Sequence, residues 1–167
     1  ANGSITNNDK PALSGTAESS STVTVVVDGS TLGTTTADGS GNWSYTPSSA
    51  LADGSHTVRA YVTDTAGNTS ADSNINTFTV DTTSPVAPVV TAPANGSTTT
   101  NDKPALSGTA ESSSTVTVVL DGNTLGTTMA DASGNWSYTP GSALSDGSHI
   151  VRATATDPAG NTGVDSA

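Results

Sequence analysis

Apolar residues in this chain recur at every second position, in short runs separated by turn-forming residues. Within residues 22–27 (TVTVVV), Val23, Val25 and Val27 fall on one face of an extended segment and Val26 on the other. Residues 55–63 follow the same rule, with Val58, Ala60 and Val62 opposite Thr57, Arg59 and Tyr61. Trp43 and Tyr45 stand two apart, so a strand there carries both rings on one side. Further strands are expected over residues 11–17, over 31–37 with Leu32 as anchor, and over 74–80. The breaks read as turns. Asp28-Gly29 is a tight hairpin signal, and DGSGN (38–42) and DTAGN (64–68) are turns. A longer loop over 47–54 is pinned by Leu51 and closed by Asp53-Gly54. Residues 4–9 read as a polar turn region. No run places apolar residues at helical spacing, so helix is expected to be almost absent. Strands this short, with turns every eight to twelve residues or so, are the pattern of an all-β sandwich of about seven strands.

The whole pattern is then written again. NDKPALSGTAESSSTVTVVVD at 8–28 returns as NDKPALSGTAESSSTVTVVLD at 101–121, an offset of 93 residues. At that offset roughly four fifths of the paired positions are identical, which composition alone does not produce. Two modules are therefore expected, 1–84 and 85–167. Pro85, Pro88 and Pro93 make the connection between them extended and fairly stiff, and Val89 and Val90 begin the first strand of the second copy. The first copy has no counterpart of residues 85–93, and the second has none of 75–80. The C-terminal strand of the second copy is thus expected to be truncated. Each copy is expected to expose a sheet edge open to strand exchange or to pairing with a neighbour.

Composition changes this picture little. The apolar fraction is low, 32% of residues, which by itself leaves disorder open. The strand-period alternation and the recurrence of Trp and Tyr in register argue for a fold. The net charge of −11 disfavours nucleic acid and anionic membrane surfaces as partners and suits either a soluble, salt-tolerant exterior or a cation-binding protein. Cysteine is absent, so no disulfide staples the modules. No signal peptide or membrane-spanning run is seen, and direct membrane insertion is not expected. Any targeting segment is expected upstream.

SGTAESSSTVTV, DGSGNWSYTP, LADGSHTVRAYVTDTAGN and the linker VDTTSPVAP, with their second-copy counterparts, resemble the bacterial Ig-like tandem repeats of giant surface adhesins and biofilm-associated proteins. The resemblance covers the whole chain. It implies two Ig-like β-sandwich domains end to end, in a secreted or cell-surface stalk whose partners are neighbouring repeats of the same chain. It also implies stiffening by calcium.

The chemistry available is sparse. His56 and His149 occupy the same repeat position, and Asp53-Gly-Ser-His56 carries triad letters consecutively in one turn. A nucleophile, its base and an orienting group must converge from separate elements, so a plain turn is the expectation and no catalytic residue is assigned. Calcium needs six to eight oxygens or so. The loops at Glu111, 131–135 and 157–161 are expected at one pole of the second copy, where the linker with Asp81 also arrives. The resemblance supports Asp81, Glu111 and Asp157 as calcium ligands at the inter-domain junction, with Glu18, Asp64, Asp131 and Asn161 as weaker candidates. The competing reading is that these Asp and Asn residues form turns by bonding their own backbone. Trp43 and Trp136 are expected in the core and not on a sugar-binding surface, and Lys10 and Lys103 in solvated loops and not in amide cross-links. Asn42-Trp-Ser and Asn68-Thr-Ser match the glycosylation sequon, a chance event in a chain this rich in Asn, Ser and Thr.

The function this implies is a non-catalytic extender in a bacterial adhesin. The alternatives are a carbohydrate- or host-protein-binding module and a spacer in a secreted polysaccharide-degrading enzyme. Differences between the copies, such as Thr36/Met129, Tyr61/Thr154 and Thr65/Pro158, are scattered and not gathered in one loop, which favours the extender.

Overall fold

A computed structural model describes residues 2–166. Backbone packing divides the chain into two units, Ala1–Thr82 and Thr83–Ala167, and every described element is a strand.

Unit 1 contains β1 (Ser4–Thr6), β2 (Leu13–Thr16), β3 (Thr22–Val27), β4 (Ser30–Thr36), β5 (Asn42–Tyr45), β6 (Gly54–Thr63) and β7 (Asn76–Val80). One sheet has the order β1-β7-β6-β3-β4 and the other is the pair β2-β5. All pairings are antiparallel except β1 with β7, which run parallel. The hairpin between β3 and β4 turns at Asp28 (φ 49°) and Gly29 (φ 79°). Two successive positive φ values define the tight turn whose twist matches that of the flanking strands, which is why Asp-Gly sits there. Alternation then sets the core. Val23, Val25 and Val27 point inward with Leu13, Ala37, Ala60, Phe78 and Val80, and Trp43 and Tyr45 pack against them.

Two expectations are corrected here. Residues 4–9 are not all turn, because Ser4–Thr6 forms β1. Val26, on the opposite face of β3, is also buried, 3% exposed. Its cross-strand partner is Arg59, and the neighbouring pair is Thr24 with Tyr61. Long side chains directly opposite on a sheet face cover smaller ones. In the second copy Thr154 replaces Tyr61, and the counterpart of Val26, Val119, is only half-buried.

Unit 2 contains β8 (Val89–Ala92), β9 (Leu106–Thr109), β10 (Thr115–Leu120), β11 (Asn123–Met129), β12 (Asn135–Tyr138) and β13 (Val151–Thr156). Its sheets are β11-β10-β13 and β12-β9-β8. The repeated sequences fold alike, and Asp121 (φ 51°) and Gly122 (φ 80°) rebuild the same hairpin. The differences lie at the margins. Unit 2 gains β8, which pairs with β9 and has no counterpart in unit 1. It has no counterpart of β7 or of the β1–β7 pairing among the described residues. Trp136, with β8 in place, is 3% exposed, whereas Trp43 is only half-buried. The N-terminal segment of unit 2 is seated on it: Pro85 and Pro88 are buried, and the carbonyl of Pro85 lies against the Cα of Gly163, where a side chain would not fit.

Candidate functional site

In unit 2, Thr109 pairs with Asn135, and Thr115 pairs with both Met129 and Thr156. That register brings the loops after β9, β11 and β13 to one end of the unit. Backbone bonds tie them together: Ala110 N–H donates to Gly134 (2.8 Å), and Ser113 N–H donates to Ala130 (3.1 Å). Glu111, Asp131, Asp157 and Asn161 all lie on these loops.

What the carboxylates do there is local. Asp131 Oδ1 accepts from the N–H groups of Ser133 (2.8 Å) and Asn135 (2.9 Å). Asp157 Oδ1 accepts from Gly160 (2.8 Å) and Asn161 (2.9 Å), and its Oδ2 accepts from Asn161 Nδ2 (2.8 Å). In unit 1, Asp38 accepts from Ser40 and Asn42, and Asp64 from Ala66, Asn68 and Asn68 Nδ2, at 2.8–2.9 Å. These are side-chain turns, in which the carboxylate replaces a backbone acceptor. Donors to the ionised form hold the acids below the usual carboxylate range. The Asn42 N–H is the chief cause for Asp38, the Asn135 N–H for Asp131, and the Asn68 side chain for Asp64. For Asp157 burial pulls the other way, but bonds from Asn161, Gly160 and Ala159 outweigh it.

Glu18 and Glu111 have exposed side chains. Their backbone carbonyls accept from the hydroxyls of Ser21 and Ser114, each at 2.6 Å. Asp81 lies in unit 1, where its N–H donates to Thr6 (2.9 Å). Within each unit, among the described residues, no group of three or more His, Asp or Glu side chains forms a metal-holding cluster. Asp131 Oδ1 and both carboxylate oxygens of Asp157 already act as acceptors within their own turns.

The imidazoles have partners that the sequence reading missed. Asp53 Oδ1 accepts from the N–H and hydroxyl of Thr82 (3.0 and 2.8 Å). His56 Nδ1 lies 2.6 Å from Asp28 Oδ2, and its Nε2 lies 2.8 Å from the carbonyl of Ala52. Asp28 Oδ1 accepts from the N–H of Thr57 at 2.7 Å. The second copy repeats this, with His149 between Asp121 (2.7 Å) and Ser145 (2.9 Å). Both ring nitrogens face acceptors, so the imidazolium, with two donors, is the form that satisfies both. Burial disfavours the charged ring of His56, yet the bonds to Asp28 and Ala52 raise its pKa. The bond to Asp121 is the main cause of the rise at His149. The available signal was that Asp28 and His56 recur together as Asp121 and His149.

Other polar side chains also serve the fold twice over. Tyr45 and Tyr138 hydroxyls donate to Leu32 (2.9 Å) and Leu125 (2.7 Å). Lys10 and Lys103 Nζ donate to the carbonyls of Ser48 and Gly141, each at 2.8 Å, so neither forms an amide cross-link. The indole N–H of Trp136 is the one buried side-chain polar atom without a partner among the described residues. Among the described residues, each imidazole's hydrogen-bond partners are a carboxylate and a backbone carbonyl.

The profile of the bacterial Ig-like domain matches residues 1–82 and 91–167. Among solved structures, the fibronectin(III)-like modules of Clostridium thermocellum CbhA share the fold. They have 17% identity and a TM-score of 0.59, over 98% of this chain and 86% of theirs. A tetra-tandem repeat from the extending region of a large adhesion protein is 28% identical over 99% of this chain and 47% of its own, with a TM-score of 0.41. A biofilm-associated protein BSP domain is 26% identical over 100% of this chain and 28% of its own, with a TM-score of 0.38. The chain thus spans less than half the length of these last two. No curated protein matches it in sequence.

Proposed function

This chain belongs to the bacterial Ig-like domain family over both of its units, and from that premise we propose that it is a non-catalytic extender segment of a bacterial surface adhesin. One observation carries the reading. The imidazole–aspartate pairs, the hydroxyls of Tyr45 and Tyr138, the lysine ammonium groups and the Asp-led turns are committed to the fold in the same way in both copies. A module selected for recognition would differ between copies in one loop cluster; here the repeated residues are those that build sandwiches.

Calcium belongs to the same proposal as its finer part. Asp81, Glu111 and Asp157 are its proposed ligands. A melt in millimolar calcium and again in chelator tests this part. A fall of several degrees on chelation supports it, because a ligand bound only to the folded state stabilises that state. An unchanged melt removes calcium and leaves the extender intact. The extender itself is tested on an array of glycans and matrix proteins. No saturable ligand is expected. A hit abolished by substitutions in a single loop of one unit would replace the extender with a binding module.

A further inference from the structure

One clasp recurs in unit 1. Asp28 Oδ1 accepts from the N–H and hydroxyl of Thr57 (2.7 and 3.1 Å), and Asp53 Oδ1 from those of Thr82 (3.0 and 2.8 Å). Asn2 Oδ1 does the same with Thr77 of β7 (2.8 and 3.2 Å). Each of these residues precedes a glycine, Gly29, Gly54 and Gly3 respectively. Asn2 differs from the other two in its chemistry. It carries an amide, and with it a leaving group, next to a main-chain nitrogen that no side chain screens: a Cβ built at Gly3 would meet nothing within 4 Å.

In the closed pair that amide is held from reacting. The Gly3 N–H donates to the Thr77 carbonyl at 2.7 Å, so the nitrogen that would attack and the carbonyl that would be attacked are both bonded to Thr77. The parallel pairing continues from there, with Ser4 opposite Phe78 and Thr6 opposite Val80. Because Thr77 supplies all three bonds, separating β7 from β1 releases them together. Opening at a sheet margin costs less than unfolding the whole unit.

We propose that Asn2 is a modification site at which opening of the β1–β7 pair is recorded as deamidation. The Gly3 nitrogen, on losing its proton to solvent base, attacks Cγ of Asn2. The new N–C bond forms as the Cγ–Nδ2 bond breaks, and Nδ2 takes up a proton and leaves as ammonia. Water then adds to one carbonyl of the cyclic imide and opens it to aspartate or isoaspartate. The two products differ in consequence. Asp28 and Asp53 already hold a carboxylate in the same clasp, so the aspartate form recloses. The isoaspartate form has one more main-chain carbon ahead of Gly3, so the Gly3–Thr77 bond and the register of Ser4 with Phe78 no longer fit together. This inference does not rest on the extender reading; it concerns how unit 1 keeps a trace of having opened.

The test incubates the 167-residue chain in mildly alkaline buffer beside a synthetic peptide of residues 1–8 (ANGSITNN). Peptide mapping by mass spectrometry separates Asn2 from Asn95, and NMR follows exchange of the Gly3 N–H. We expect Asn2 to deamidate at least about tenfold more slowly in the folded chain than in the peptide. Thr77→Val removes the hydroxyl and keeps a strand-forming shape. It should speed Gly3 exchange and Asn2 deamidation together, by roughly fivefold, the effect of one hydrogen bond. In sub-denaturing urea, with tryptophan emission unchanged, the two rates should again rise in step. Asn2→Asp should retain exchange protection of the Thr77 N–H, and the isolated isoaspartate chain should lose it. Equal deamidation in chain and peptide overturns the proposal, as does Gly3 exchange that quickens in Thr77→Val or in urea while Asn2 deamidation does not. Loss of Thr77 protection in Asn2→Asp as well would refute the contrast between the two products.

Discussion

Replacing Asp28 with Asn should convert a pH-dependent staple into a pH-independent one. Asp28 links the β3–β4 hairpin to the start of β6 through His56 and Thr57. With both ring nitrogens facing acceptors, the folded state favours the charged form of His56, and its pKa is raised. The stability this gives is fully present below the unfolded imidazole value, near 6.5, and is lost as pH rises through the higher folded value. The Asp28 pKa is lowered: burial opposes ionisation, but the bonds from Thr57 and His56 outweigh it. Its contribution is present above about 3.8 and is lost as pH falls through the lower folded value. The pair therefore acts most strongly between those two limits. A hydrogen bond between charged groups contributes about 1.5–3 kcal/mol. The Asp28 side chain is 49% exposed, so solvent screening reduces this to about 1 kcal/mol. In a domain of this size that corresponds to roughly 4–8 °C in Tm. The variant amide can donate to Nδ1 of a neutral ring while Nε2–H still donates to Ala52, so the bonds persist without the charge. The assay is thermal unfolding from pH 5 to 9 of Trp136→Phe chains, in which Trp43 reports on unit 1. The parent should lose stability toward pH 9 and the Asp28→Asn chain should stay level. Parallel pH profiles for the two would refute the staple.

Three further outcomes follow from comparing the copies. Gly108→Ala would drive a methyl into the carbonyl of Val89 and so displace β8, whereas Gly15→Ala meets only the Trp43 ring, at 2.9 Å. Denaturant unfolding should show a loss of about 1–3 kcal/mol in unit 2 for the first and less in unit 1 for the second. Tyr45→Phe and Tyr138→Phe each remove one bond to a backbone carbonyl, and each should cost about 1 kcal/mol in the unit it belongs to, by the same measurement. In single-tryptophan chains, Trp136 should emit at shorter wavelength and resist acrylamide better than Trp43, because only Trp136 is fully buried; the opposite order would contradict the role of β8.

The sheet-forming runs, the Asp-Gly hairpins and the core placement of Trp and Tyr were legible because each depends on neighbours within a few residues. β1 was not. Three residues, Ser-Ile-Thr, carry too little alternation to mark a strand, and their partner lies more than 70 residues away. The imidazole–aspartate pair was missed for the same reason: His56 is held by Asp28, a residue 28 positions upstream. Burial of Val26 depended on what faces it across the sheet, which periodicity within one strand does not encode. At the candidate metal loops, the sequence placed Glu111, Asp131 and Asp157 at one end of the unit. It did not tell how many of their oxygens the turns themselves would use.

The parallel pairing of β1 with β7 bears on how an extender takes tension. The two strands sit near opposite ends of unit 1's sequence, so a pull along the chain slides one past the other. Bonds between Ser4–Thr6 and Phe78–Val80 are then loaded together and must rupture in concert, not peel apart one at a time.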